Sequence, residues 1–263
     1  YSANDKNEYW EQSVNFYDGK FATYLENGTY RLRIEPYWEK RSLFPAQDYT
    51  VVIAGGVVTQ ITNRNTAAVL TASASRYTFT LSAPSVAGYV YMPGVSTEKV
   101  PNIQVSVFDS SGKERWEYST SSDAAGKFGL NLPDGTYDLV ARPWGSGRTY
   151  TTSAKTTLTV TAGVVAGGDI TLRLRAPNVW GVIVRPDGTT PLAEVNINMY
   201  MNGEYAYAWT GSDGTFGAYF DTAIPSPCNN CQININHYNN SDYSAKNYSF
   251  SATGNLGNLA IGG

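Results

Sequence analysis

Histidine is nearly absent from this 263-residue chain, which has His237 and no other. A Ser–His–Asp or Cys–His relay needs an imidazole base, so hydrolytic chemistry of that kind has a single candidate. Cysteine is almost as scarce. Both cysteines lie in Pro227-Cys228-Asn229-Asn230-Cys231, too few for a disulfide-scaffolded mini-protein or a four-cysteine zinc site. Charged residues make up 16% and the formal net charge is -3, so the basic footprint of a nucleic-acid binder is missing. There is no apolar run of about 18 residues that would read as a membrane span. No stretch shows a convincing helical period. No signal peptide stands at Tyr1, so the sequence reads as a processed chain or as a piece of a longer one.

What is abundant is tyrosine (20) and glycine (25), together with Thr, Ser and Asn. A chain this aromatic is not disordered. It is also repetitive. Gly19-Lys20-Phe21 returns as Gly126-Lys127-Phe128, Asn27-Gly28-Thr29-Tyr30 as Asp134-Gly135-Thr136-Tyr137, Pro36 as Pro143, and Gly56-Val57-Val58 as Gly163-Val164-Val165, all at an offset of 107. A third copy follows. Leu81-Ser82-Ala83-Pro84 matches Leu174-Arg175-Ala176-Pro177, Gly88 matches Gly181, and Pro101–Val107 matches Pro191–Ile197. Ser122-Asp123 with Gly126-Lys127-Phe128 matches Ser212-Asp213 with Gly214-Thr215-Phe216. The repeat divides the chain into modules at 1–83, 84–176 and 177–263.

Each module reads as short strands. Period-two alternation marks Tyr30–Glu35, Gln104–Phe108, Tyr137–Ala141, Thr157–Thr161, Glu194–Met199 and Gln232–Asn236. Asn-Gly, Asp-Gly and Ser-Gly turns separate them. The expected fold is all-β: three tandem Greek-key sandwiches set end to end. At the common offset Tyr1 falls on Phe108, so the first module is expected to lack its two opening strands. Either the chain belongs to a longer array, or strands from another chain fill the gap.

The pattern Pro-Leu-Ala-Glu-Val-Asn-Ile (191–197) with Ser-Asp-Gly-Thr-Phe (212–216), and Leu-Pro-Asp-Gly-Thr-Tyr-Asp-Leu (132–139), resembles carboxypeptidase-regulatory-like repeats. These group with transthyretin-like and Cna protein B-type domains of bacterial surface proteins. The resemblance implies a seven-stranded Greek-key (transthyretin/Ig-like) sandwich, usually strung in extracellular arrays, and says little about function. Some Cna protein B-type domains carry a Lys–Asn isopeptide crosslink. The first strands here, Tyr89-Val90-Tyr91 and Val182-Ile183-Val184, offer no lysine, so none is expected in the second and third modules.

The candidate sites are few, and no cofactor or metal is expected. Cys228 and Cys231 have redox-motif spacing without the βαβ context of a thioredoxin-like site, and read best as a local disulfide. Asn27, Asn239 and Asn247 begin glycosylation sequons. Ser122-Asp123 and Ser212-Asp213 lack the ligand density of a calcium loop. The aromatics say more. In Arg115-Trp116-Glu117-Tyr118-Ser119 a strand reading puts Trp116 and Tyr118 inward. The matching segment Tyr205-Ala206-Tyr207-Ala208-Trp209 then turns its alanines inward and Tyr205, Tyr207 and Trp209 to solvent. A register slip of one reverses both assignments. Exposed, the stripe would be an interaction surface for a sugar or another subunit.

The linkers Ala83-Pro84 and Ala176-Pro177 leave little slack, since proline fixes its own φ and holds the preceding residue extended. The function expected is a non-catalytic, extracellular rod on a cell surface, an adhesin stalk or filament subunit, with self-association or other surface proteins as partners. The alternative is a carbohydrate-binding accessory region of a secreted glycosidase or peptidase, with a glycan as partner. Nucleic acid and membrane insertion are not expected.

Overall fold

The computed structural model describes residues 18–36, 40–73, 76–143, 150–222, 228, 230–237, 242–251 and 254–263. The described residues build five small β-sheets, the all-β class read from the repeat. The expectation about the opening strands of the first module falls on residues 1–17, which lie outside the described residues.

The central sandwich runs from β4 (Val86–Tyr91) through β5 (Gln104–Asp109), β6 (Thr120–Ser121), β7 (Lys127–Leu130), β8 (Gly135–Arg142), β9 (Thr156–Thr161) and β10 (Val164–Val165) to β11 (Ile170–Arg173). One sheet has the order β11-β4-β7 and the other β10-β9-β8-β5-β6. Alternate residues face inward, so Val105, Val107, Leu139, Ala141, Leu158 and Val160 from one sheet meet Val86, Val90, Phe128, Leu130 and Leu172 from the other.

The C-terminal sandwich repeats this plan. Its strands are β12 (Val179–Val184), β13 (Asn196–Met201), β14 (Glu204–Trp209), β15 (Thr215–Ala218), β16 (Cys231–Asn236), β17 (Lys246–Ser249) and β18 (Gly254–Ala260). They pair as β15-β12-β18 and β14-β13-β16-β17. In both sandwiches the first strand pairs parallel with the last and antiparallel with the strand that carries the buried phenylalanine. The core gathers Ile197, Met199, Met201, Ile233 and Ile235 against Val179, Ile183, Phe216 and Ala218.

The N-terminal sheet has the order β1-β2-β3, with β1 Gly28–Ile34, β2 Gln47–Ala54 and β3 Val57–Asn63. These are the counterparts of β8, β9 and β10. Tyr30, Ile34, Tyr49, Val51, Ile53 and Ile61 form its core, with Leu70, Tyr77, Phe79 and Leu81 packed on them. The other face carries Arg31, Arg33 and Asp48 and meets the central sandwich, where Arg33 Nη1 donates 2.6 Å to the Glu117 carbonyl oxygen.

Two local expectations are corrected, and one repeat position differs from its counterparts. Arg115–Ser119 is no strand, because Trp116–Tyr118 winds into one 3₁₀ turn. Arg115 pairs with both Asp109 and Glu117, which draws the chain back on itself. Trp116 is therefore 60% exposed rather than inward, while Tyr118 still packs on the core. The strand expected from Glu194 starts at Asn196, since Glu194 holds φ 59°, a left-handed conformation that interrupts a ladder. Phe21 starts no strand, unlike Phe128 and Phe216, and its ring lies 6.0 Å from that of Phe79.

Candidate functional site

The outer face of the sheet β14-β13-β16-β17 is the most distinctive surface of the described chain. β14 alternates large and small residues from Tyr205 to Trp209, and a strand sends successive side chains to opposite faces. Ala208 is buried, while Tyr205 and Tyr207 are 54% and 42% exposed. Tyr205, Tyr207 and Trp209 therefore share the outer face.

The ladder register completes the surface as three rows running across the strands. Tyr205 lies opposite Tyr200, which lies opposite Gln232 and then Ser249. Tyr207 leads to Asn198, Asn234 and Asn247. Trp209 leads to Asn196 and Asn236. The rings touch: Tyr200 and Tyr205 are 5.1 Å apart at an interplanar angle of 50°, and Tyr207 and Trp209 are 6.2 Å apart at 77°. None of these eleven positions carries a charge.

The amides are linked to the rings. Tyr205 Oη donates 2.5 Å to Asn198 Oδ1, and Asn198 Nδ2 donates 2.6 Å to Asn196 Oδ1. Asn234 Nδ2 donates 2.8 Å to Asn247 Oδ1. Asn196 is buried, and its Nδ2 has no acceptor among the described residues. Tyr200 and the amide rows were missed by sequence reading. Their positions are far apart in the chain, and only the ladder register brings them onto one face.

The remaining candidates are placed as follows. Cys228 and Cys231 are joined by a disulfide, with Cα atoms 5.7 Å apart. His237 stacks on Tyr243 with ring centroids 5.6 Å apart. Asn27 Oδ1 accepts from Gly56 N at 2.9 Å, the role played by Asp134, whose carboxylate accepts from Ala162 N and Gly163 N. Asn27 is thus engaged in a turn. Asn247 lies on the face just described, and Asn239 lies outside the described residues. Among the described residues no group of three His, Cys, Asp or Glu side chains is arranged to hold a metal.

A concavity of about 390 Å³ opens where the N-terminal sheet meets the central sandwich, lined by Arg31, Asp48, Arg64, Asp109, Arg115 and Trp116 among others. Its charges are largely spent on one another, as Arg31 pairs with Asp48 at 2.9 Å and Arg115 with Glu117 at 2.6 Å. A hydrogen bond from the Ser111 hydroxyl holds the Asp109 carboxyl below the usual carboxylate range, against the opposing effect of desolvation and with help from backbone amides and the Arg115 charge.

Among the described residues no helix is long and apolar enough to cross a membrane. Comparison with curated proteins finds no match. Solved structures to which the chain is similar include the shaft pilin SpaA from Lactobacillus rhamnosus GG, with 10% identity, a TM-score of 0.28, and coverage of 68% of this chain and 97% of that one. The Bacillus anthracis TIE protein shows 15% identity and a TM-score of 0.27 over 89% of this chain and 51% of that one. A streptococcal ancillary pilin shows 11% identity and a TM-score of 0.27 over 82% and 81%. The family resemblance read from the repeat is borne out most directly in the central sandwich, where residues 85–173 match the carboxypeptidase regulatory-like domain.

Proposed function

We propose that this chain is a non-catalytic, extracellular structural protein, a semi-rigid rod of three β-sandwich modules at 1–83, 84–176 and 177–263 that serves as an adhesin stalk or filament subunit. The observation that carries this reading is the seam at Arg175. On the central side its backbone pairs with Thr151 and its Nε donates 2.9 Å to the Thr152 carbonyl oxygen. On the C-terminal side its Nη1 lies 2.5 Å from Asp221 Oδ1, and its guanidinium stacks 4.0 Å above the Tyr219 ring. Three residues on, the Asn178 amide accepts from Phe220 N and donates to Phe220 O at 3.0 and 2.9 Å. A linker held on both sides supports a fixed angle between neighbours, a geometry that a spacer needs and a catalyst does not.

Small-angle scattering tests the rod. Three sandwiches end to end reach about 100 Å, which gives a radius of gyration of about 30 Å. A compact globule of this length would have about 18 Å, and that result would overturn the reading. Arg175→Ala should broaden the distance distribution without unfolding either sandwich.

In the same reading two strands from a neighbouring chain complete the first module, whose described residues form three strands where those of the central sandwich form eight. Intact mass with oligomeric state tests this part separately. Polymers that dissociate only on unfolding support it, and a stable monomer with a cooperatively folded N-terminal sheet rejects it.

A further inference from the structure

The outer face of the C-terminal sandwich has the chemistry of a site for a particular ligand class: we propose that it binds a single, soluble, uncharged polysaccharide chain. This rests on reading the face as a binding surface and is independent of how the sandwiches join.

Three observations select that ligand. First, rings gather on the two strands at one side of the face, and side-chain amides with Ser249 fill the rest. A pyranose offers a C–H face that stacks on aromatic rings and hydroxyls that both donate to and accept from amides. Secondly, none of the eleven positions that make up the rows carries a charged side chain. An acidic polysaccharide, a phosphorylated chain or a basic peptide laid along these rows would lose hydration with no opposite charge among them in return. Thirdly, the rings are not coplanar. Tyr200 and Tyr205 are inclined by 50° and Tyr207 and Trp209 by 77°. A flat crystalline surface needs rings in one plane, whereas a free chain twists to follow them. From Tyr205 to Trp209 the stripe is about 13 Å long, enough for about three sugar rings.

The arrangement is also partly preorganised. Tyr205 is steered by its hydrogen bond to Asn198 and lies against Tyr200, so less rotamer freedom is lost when a ligand stacks on it. The Asn196 Nδ2, buried without an acceptor beside Trp209, is a donor that gains if a small rotation brings it to a ligand oxygen.

Affinity electrophoresis of the full chain tests the proposal, in gels containing a mixed-linkage β-glucan, a galactomannan or an arabinoxylan, with polygalacturonate and heparin as charged controls. Pull-down on microcrystalline cellulose tests the crystalline case. Retardation by at least one neutral polymer is expected, with no retention on the crystalline or charged ones. Tyr207→Ala should weaken retardation about tenfold, the loss of one aromatic contact, while Tyr207→Phe should retain it. Thermal unfolding of both variants shows that the sheet is intact. The proposal is overturned by any of four results: no retardation by a neutral polymer, retention by charged polymers only, equal binding by wild type and Tyr207→Ala, or concentration-dependent self-association that Tyr207→Ala abolishes without glycan retention.

Discussion

Gly88 lies opposite Phe128 in the antiparallel pair β4–β7, and the Phe128 ring folds over it so closely that a Cβ on Gly88 would come within 2.7 Å of the ring and press on the Ile170 carbonyl oxygen. The C-terminal sandwich repeats the device with more room. Gly181 lies opposite Phe216, and a Cβ there would sit 3.0 Å from the ring and 2.9 Å from the Gly257 carbonyl oxygen. The glycine of each first strand is thus required by the ring that seeds each core and by the backbone of the last strand. Overpacking costs about 1–3 kcal/mol. Gly88→Ala should fall near the top of that range and Gly181→Ala near the bottom. Urea unfolding of both variants checks the order, and a larger loss for Gly181→Ala would contradict it.

The seam between the N-terminal region and the central sandwich should be sensitive to acid. Ser42, buried, donates 2.6 Å to Asp123 Oδ2. Desolvation pushes the Asp123 carboxyl upward, but Ser42 and the amides of Lys127 and Ala125 outweigh it, so the folded value lies below the ordinary 3.8. A carboxyl whose folded pKa is depressed contributes stability above its unfolded value, and that contribution disappears as pH falls through the folded value. Stability at the seam should therefore be retained at pH 6 and fade below about pH 4. Ser42→Ala should cost about 1 kcal/mol at neutral pH and flatten the acid limb. An unchanged limb in thermal melts between pH 6 and 2.5 would show that Asp123 does not draw on Ser42.

How much of this was legible in the sequence depends on whether the determining contacts were local. The strands around Gln104, Tyr137 and Gln232 showed themselves by alternation, because each has one face in a core. The outward turn of Tyr205 and Tyr207 is carried by Tyr-Ala-Tyr-Ala alternation within one strand. The 3₁₀ turn at Trp116 was hidden because its causes lie elsewhere: Arg115 reaches back to Asp109, and Arg33 of another sheet takes the Glu117 carbonyl oxygen. The amide rows were hidden for the same reason, since Asn198, Asn234 and Asn247 become neighbours only through the register of three strands.

The face of the N-terminal sheet that meets the central sandwich depends on one carboxylate. Asp48 accepts from Arg31 Nε and Nη2 at 3.0 and 2.9 Å and lies 3.3 Å from Arg33 Nη1. The side chains of Arg31 and Asp48 are only 9% and 6% exposed. Removing one member of a buried pair leaves an uncompensated charge, at about 3–5 kcal/mol. Asp48→Asn, which keeps the shape, should still lose about 3 kcal/mol. The loss should be local: hydrogen exchange should quicken in β1 and β2 while β5 and β8 remain protected. Uniform loss of protection along the whole chain would show that the sheet and the central sandwich unfold as one unit.

The Cys228–Cys231 bridge closes a loop with a sequence separation of three. Loop-closure entropy for so short a ring gives about 2 kcal/mol. Cys231 lies in the core opposite Met201, while Cys228 packs at the core's margin, so reduction also frees the chain that enters β16. Adding reductant, or Cys228→Ser, should lower the unfolding midpoint of the C-terminal sandwich by several degrees. The central sandwich, which contains no cysteine, should unfold as before. Cys231→Ser should cost more than Cys228→Ser, because it also places a hydroxyl in the apolar core with Met201, Ile233 and Phe250. Calorimetry with and without reductant separates the two contributions, since reductant should erase the difference between wild type and Cys228→Ser and leave Cys231→Ser below both.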